Sequence, residues 1–173
     1  MINIERLSKD EVYNIMSELL YSFNYVWFMF EKFVKNKYPD AFESEEFLKL
    51  NEEFGAYEAK RVANALGIST GGIDNLIQLV KHSHWAVFEN IEITKLTGNS
   101  FRMRTIECST QKAARRWGME YYDCGHTGFF ARKGFYQYLN KNAKVQRIFT
   151  PPETNPEGTP ENVSCEWLIS IDE

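Results

Sequence analysis

The period of hydrophobicity changes once along this chain, near residue 85, and that change restricts the fold more than any other feature. Before it, apolar residues recur every three or four positions; after it, they alternate. From Ser8, the residues Val12, Ile15, Met16, Leu19, Phe23, Val26, Trp27 and Phe30 define an amphipathic helix reaching about Val34, and Ser8 with Glu11 forms a capping box. Pro39 stops it. A second helix is expected from about Ser44 to Leu66, with Phe47, Leu50, Phe54, Val62 and Leu66 on its buried face and Gly67 closing it. Ile73, Leu76, Ile77 and Val80 mark a third, reaching about His84.

Beyond it, Val87, Glu89, Ile91 and Ile93 alternate with Phe88, Asn90 and Glu92, and the turn Thr97-Gly98-Asn99-Ser100 leads to Phe101, Met103 and Thr105. This pattern is a hairpin. A short helix carrying Ala113, Ala114 and Trp117 ends at Gly118, and another runs from about Thr127 to Tyr138. Lys144 to Thr150 and Val163 to Ile171 form the remaining strands, separated by the loop PPETNPEGTPEN. The expected class is α+β, with a helical N-terminal half and then an antiparallel sheet of about four strands with two short helices inserted between strand pairs. A chain of 173 residues suits a single domain over 1–173, mainly helical in 1–84 and sheet with inserted helices in 85–173.

Composition excludes some classes. No run of apolar residues is long enough to cross a bilayer, and MINIERLSKDE lacks the features of a signal peptide, so a cytoplasmic protein is expected. Three widely spaced cysteines argue against a disulfide framework and for reduced thiols. Residues 102–147 carry ten Lys or Arg against three acids, while the segments 5–58 and 148–173 are each net −6. With the whole chain at −4, this basic middle reads as intramolecular complementarity or a local anion site, and nucleic acid is an unlikely partner. Aromatic residues make up 15% of the chain, enough to line a pocket as well as a core. Tyr21, Tyr25, Phe28 and Met29, off the main stripe of the first helix, suggest a homodimer surface.

Several residues can carry chemistry. Cys108 ends a strand just before Ser109 and Thr110, natural caps for the next helix, and a helix N-terminus lowers a thiol pKa, so Cys108 is a candidate nucleophile or metal ligand. Cys124 has the same setting. The structural account makes both of them small buried hydrophobes, and Cys165 shares the inward face of its strand. Cys108, Cys124 and His126 supply sulfur and nitrogen ligands suited to zinc or iron, in a spacing that matches no familiar zinc signature. Glu31 and Glu58 stand where apolar residues are expected, as general acid or base groups over an aromatic pocket, or as members of structural ion pairs such as Glu58 with Arg61. His84 continues the apolar face of the third helix and is either a core histidine or, with Trp27, Arg61 and Arg115, a substrate-binding residue.

Several of these pieces together resemble a family of uncharacterised cytosolic bacterial and archaeal proteins, a domain of unknown function, over nearly the whole chain. They are LSKDEV, Trp27-Phe28 with Glu31, Glu58-Ala59-Lys60-Arg61 with Leu66-Gly67, Phe101-Arg102-Met103, Cys108 with Gln111 to Arg115, Cys124, Gly128, Pro151-Pro152-Glu153 and Cys165-Glu166-Trp167. That family reads Cys-Pro-Pro where this chain has Thr150-Pro151-Pro152, so a cysteine-rich metal site would lose one ligand here, for which His126 is a candidate replacement. The ending Cys-x-Trp-x-x-x-Ile is similar, more distantly, to aminothiazoline-carboxylate hydrolase-like proteins and vinyl-reductase-type small-molecule-binding domains. The resemblance implies a small-molecule-binding protein, with hydrolysis of a small carboxylated or cyclic amidine-like substrate by Cys108, Glu31 and Glu58 as one expectation. A non-catalytic metabolite- or metal-binding sensor domain is the alternative, since a fold does not transfer an activity.

Overall fold

In the computed structural model, which describes residues 6–172, the long helices begin where a serine can close their first turn. Ser8 Oγ accepts the Glu11 N–H at 3.2 Å and the Glu11 carboxylate accepts the Ser8 N–H at 2.8 Å, the expected capping box of α1 (Lys9–Lys37). Ser44 caps α2 (Glu45–Leu66), which ends at Gly67 with φ 67°, a left-handed conformation that glycine adopts without a Cβ clash. There follow α3 (Ile73–Val80), α4 (His84–Phe88), β1 (Asn90–Thr97), β2 (Ser100–Ile106), α5 (Ser109–Arg116), α6 (Gly125–Leu139), β3 (Ala143–Phe149) and β4 (Val163–Ile171). The four strands form one antiparallel sheet in the order β1-β2-β4-β3, so the class is α+β as the pattern predicts.

The chain divides into two compact units, Met1–Phe42 and Glu43–Glu173, where the sequence reading takes a single domain. In the first, α1 starts where predicted, but its main apolar stripe is exposed: Phe23 is 72% accessible and Val26 62%. Of the residues off that stripe, Tyr21, Tyr25 and Met29 are exposed, whereas Phe28 is buried, one turn before buried Glu31. Aromatics lie on every side of this helix, so periodicity establishes the helix without choosing its covered face.

In the second unit α6 packs on α2 and on β3. The α2 face that is buried carries Gly55, Ala59 and Ala63, whereas Leu50, Phe54 and Leu66, expected inside, are exposed. The cause is a crossing at backbone distance. A Cβ on Gly55 would collide with the Ala131 carbonyl of α6, and one on Gly134 with the Glu52 carbonyl of α2. A second correction concerns residues 81–89. Helix α3 stops at Val80, Ser83 donates its hydroxyl to the Val80 carbonyl at 2.7 Å, and α4 starts at His84, so Val87 and Phe88 are helical and the strand begins only at Asn90. His84 therefore does not continue the buried face of α3. Likewise α6 starts at Gly125 behind Cys124, two residues before the expected Thr127.

The core is built on the inner face of β2 and β4, where Met103 lies opposite Trp167, Thr105 opposite Cys165 and Phe101 opposite Ile169. Phe135 and Tyr136 of α6 and Leu76, Leu79 and Val80 of α3 cover it. Among the described residues, no helix is long and apolar enough to cross a membrane.

Candidate functional site

Glu58 and His84, separated by 26 residues in sequence, are joined by two hydrogen bonds. One carboxylate oxygen accepts the His84 backbone N–H at 2.6 Å and the other accepts Nδ1–H at 2.7 Å. Glu58 thus closes the first turn of α4, which Ser83 leaves without a side-chain cap. A carboxylate only accepts, so Nδ1 carries a proton in this bond, and Nε2 is left uncommitted among the described residues. The imidazole is half-buried, stacked on Trp85 with centroids 4.4 Å apart and set against Phe54 at 5.6 Å. Arg61, the partner expected for Glu58, is exposed on α2 and makes no ion pair among the described residues. His84 replaces it because α4 begins beside α2 and presents a free N–H there.

On the next layer of aromatics lies a residue that the sequence reading counted only within the basic middle. Arg132 of α6 is 5% exposed, and its guanidinium is held between two indoles, 4.5 Å from the Trp85 ring centroid and 4.3 Å from that of Trp167. Nη1 donates to the Gly128 carbonyl at 3.2 Å. Trp85, absent from the candidates drawn from the sequence, thereby touches both the His84 ring and the Arg132 cation. The signal was present: Arg132, with Lys133 and Gly134, interrupts the apolar run Phe129, Phe130, Ala131 and Phe135, Tyr136.

All three cysteines are free thiols. Charge on Cys124 adds a small opposition to ionisation of Cys108. Their titration runs the other way from the expected activation. Burial, then the neighbouring Glu89 carboxylate, pushes the Cys108 thiol well above its ordinary value. Cys124 is pushed up to about 12, mainly by burial, with the Arg132 charge pulling partly in the opposite direction. The helix N-terminus that was to activate Cys108 is already filled. Glu89 accepts from Ser109 N–H at 2.9 Å, Thr110 N–H at 3.3 Å, and the Ser109 and Thr110 hydroxyls at 3.2 and 2.7 Å, and the Cys108 thiol points at it at 3.5 Å.

The remaining candidates are dispersed. Arg115 is exposed in the last turn of α5, where its charge suits the helix dipole, far along the helix from the anion-binding end. His126 is 49% exposed, stacks on Phe130 and faces Glu43 at 3.3 Å, on the rim of a recess of about 470 Å³ lined by Gly125, Phe129 and Arg147. Among the described residues, no three His, Cys, Asp or Glu side chains converge on a metal-sized site, so Cys108, Cys124 and His126 do not fit the zinc or iron centre expected of them. Glu31 and Trp27 belong to the first unit. There Glu31 is buried and pairs with Lys35 at 3.0 Å, and the Trp27 ring packs against Phe30 at 6.2 Å.

These elements define a class: an α+β protein whose sheet is covered by α6, with a carboxylate–imidazole pair and a caged guanidinium meeting on one tryptophan. The chain belongs to the DUF6125 family, a family of unknown function, whose sequence model matches residues 5–171. No curated protein and no solved structure matches it.

Proposed function

We propose that this protein binds a small organic molecule against Trp85 and hydrolyses it, with His84 as general base. The observation that carries this reading is the Glu58–His84 pair. Glu58 holds the His84 backbone and the ring through one short bond each, and Nε2 is left at a half-buried position where the neutral ring can take a proton from water or a substrate. Cys108 has no part in this reading, since its thiol stays protonated at neutral pH.

The test is a panel of small cyclic and acyclic amides and esters, followed by proton release. The expected outcome is turnover that falls about 100-fold or more in His84→Gln, the range a general base contributes. Glu58→Gln should lower the rate less and displace its pH profile. Saturable binding with no turnover of any panel member would favour the sensor alternative; neither binding nor turnover would overturn both.

We further propose that two copies pair through α1, whose residues Phe23, Val26, Phe30 and Phe33 are each more than half exposed. Sedimentation showing only monomer at high concentration would remove the dimer.

A further inference from the structure

We infer that Arg132 is the buried anchor for the carboxylate of a monoanionic ligand. This rests on the small-molecule reading above and names the group that such a ligand carries.

A guanidinium is charged at every physiological pH, and burying it requires an anion or a full set of acceptors. Arg132 has neither. The Trp85 and Trp167 rings pack against it at 4.5 and 4.3 Å, contacts that satisfy none of its N–H groups by a hydrogen bond. Nη1 reaches the Gly128 carbonyl, while Nε is buried with no partner, and among the described residues no carboxylate pairs with the group. Glu58, which pairs with the His84 that packs on Trp85, has both oxygens committed to that histidine.

Two more donors share this condition. Trp167 Nε1 and Thr150 Oγ1 are fully buried without partners, although neither residue is exposed above 1%. Their side chains flank two glycines one turn apart at the start of α6. A Cβ on Gly128 would stand 3.0 Å from Arg132 Nη1 and 3.9 Å from Trp167 Cζ2, beside the indole nitrogen. One turn earlier, a Cβ on Gly125 would stand 2.5 Å from Thr150 Oγ1. Cys124, the residue before this turn, supplies no side-chain cap, and the Asp123 carboxylate accepts only the Gly125 amide, at 3.0 Å, so it offsets part of the positive end of this fifteen-residue helix.

Charge and shape choose the ligand. Arg147 Nη1 and the Asp123 carboxylate also lie beside Gly125, but they are of opposite sign and Arg147 pairs with Glu153 at 3.1 Å, so Arg132 is the cation there without a carboxylate and a monoanion balances it. A planar carboxylate lies in the plane of the guanidinium between the two indoles and accepts from Nε and Nη2 together. Its remaining lone pairs are the acceptors that Trp167 and Thr150 lack. With its carboxylate on Arg132, the ligand shares the Trp85 indole with the His84 ring.

The test uses the whole chain, titrated with benzoate, acetate and inorganic phosphate at constant ionic strength, and read by calorimetry and by the side-chain N–H signals of Arg132 and Trp167 in 1H–15N spectra. The expected result is saturable binding of one benzoate per chain that moves both signals, with phosphate at least tenfold weaker. Arg132→Lys, which keeps the charge and loses the fork, should weaken benzoate at least tenfold. Thr150→Val, a near-isosteric change that guards against misfolding of the arginine variant, should weaken it severalfold. Absence of saturable binding by a folded protein, a preference for phosphate, or affinities unchanged in both variants would overturn the inference. Turnover of uncharged substrates without carboxylate binding would sink this inference and spare the hydrolase; carboxylate binding without turnover would do the reverse.

Discussion

Helices α5 and α6 begin alike and end their similarity there. Each follows a cysteine that provides no side-chain cap, and each therefore exposes amide donors at its first turn. At α5 the chain supplies its own anion: Glu89 collects two amides, two hydroxyls and a thiol. At α6 Asp123 takes one amide, that of Gly125 at 3.0 Å, and three buried donors stay without acceptors behind it. The difference separates a helix end made for stability from one whose polar groups are satisfied only from outside the chain.

The comparison can be broken most severely by moving α6. Gly134→Ala puts a methyl group into the Glu52 carbonyl, and backbone cannot rotate away as a side chain can, so a loss of about 3 kcal/mol is expected in urea unfolding. Benzoate binding should vanish with it. Glu89→Ala removes the acceptor for the whole α5 end and should cost about 2–3 kcal/mol, with Glu89→Gln recovering part of that loss. Asp123→Ala deletes a single cap bond and should cost about 1 kcal/mol or less, measured in the same way. If Asp123→Ala proved the more damaging of the two, the contrast between a closed and an open end would be wrong.

The subtlest effect is in the thiols. Both are held protonated in the folded chain, so their contribution to stability is fully present below the ordinary thiol value of 9.0 and is lost as pH rises toward the folded values, about 12 for Cys124. The urea midpoint should begin to fall above pH 9, and alkylation of the native protein at neutral pH should be slow at both sites. Glu89→Gln removes a charge that opposes ionisation of Cys108 and should accelerate its alkylation while leaving Cys124 unchanged.

Much of this was legible in the sequence. Capping residues, alternation and turn glycines carry local information, so the boundaries of α2 and β4 and the start of α1 lie within about two residues of their expected places, while α1 runs on to Lys37, past the expected Val34. Which face of a helix is covered is a tertiary property, and there hydrophobicity misleads: α2 hides Gly55 and Ala59 and shows Phe54, since small residues let a neighbouring backbone approach. The site divides along the same line. Glu58 and His84 stood out as polar groups on apolar stripes and are bonded to each other. Arg132 and Glu89 did not stand out, because a charge in a basic segment and a glutamate in an alternating strand pattern look ordinary until their partners are seen.

The crossing of α2 over α6 also sets how this protein can change over time. Two hydrogen atoms, on Gly55 and Gly134, decide the distance at which α6 sits. Any side chain at either position would lift α6 from α2 and carry Arg132 with it, out of register with two indoles borne on other elements. Such drift is closed to a descendant that keeps the cage. Sequence variation should therefore be scarce at two glycines whose only role is to let one backbone approach another.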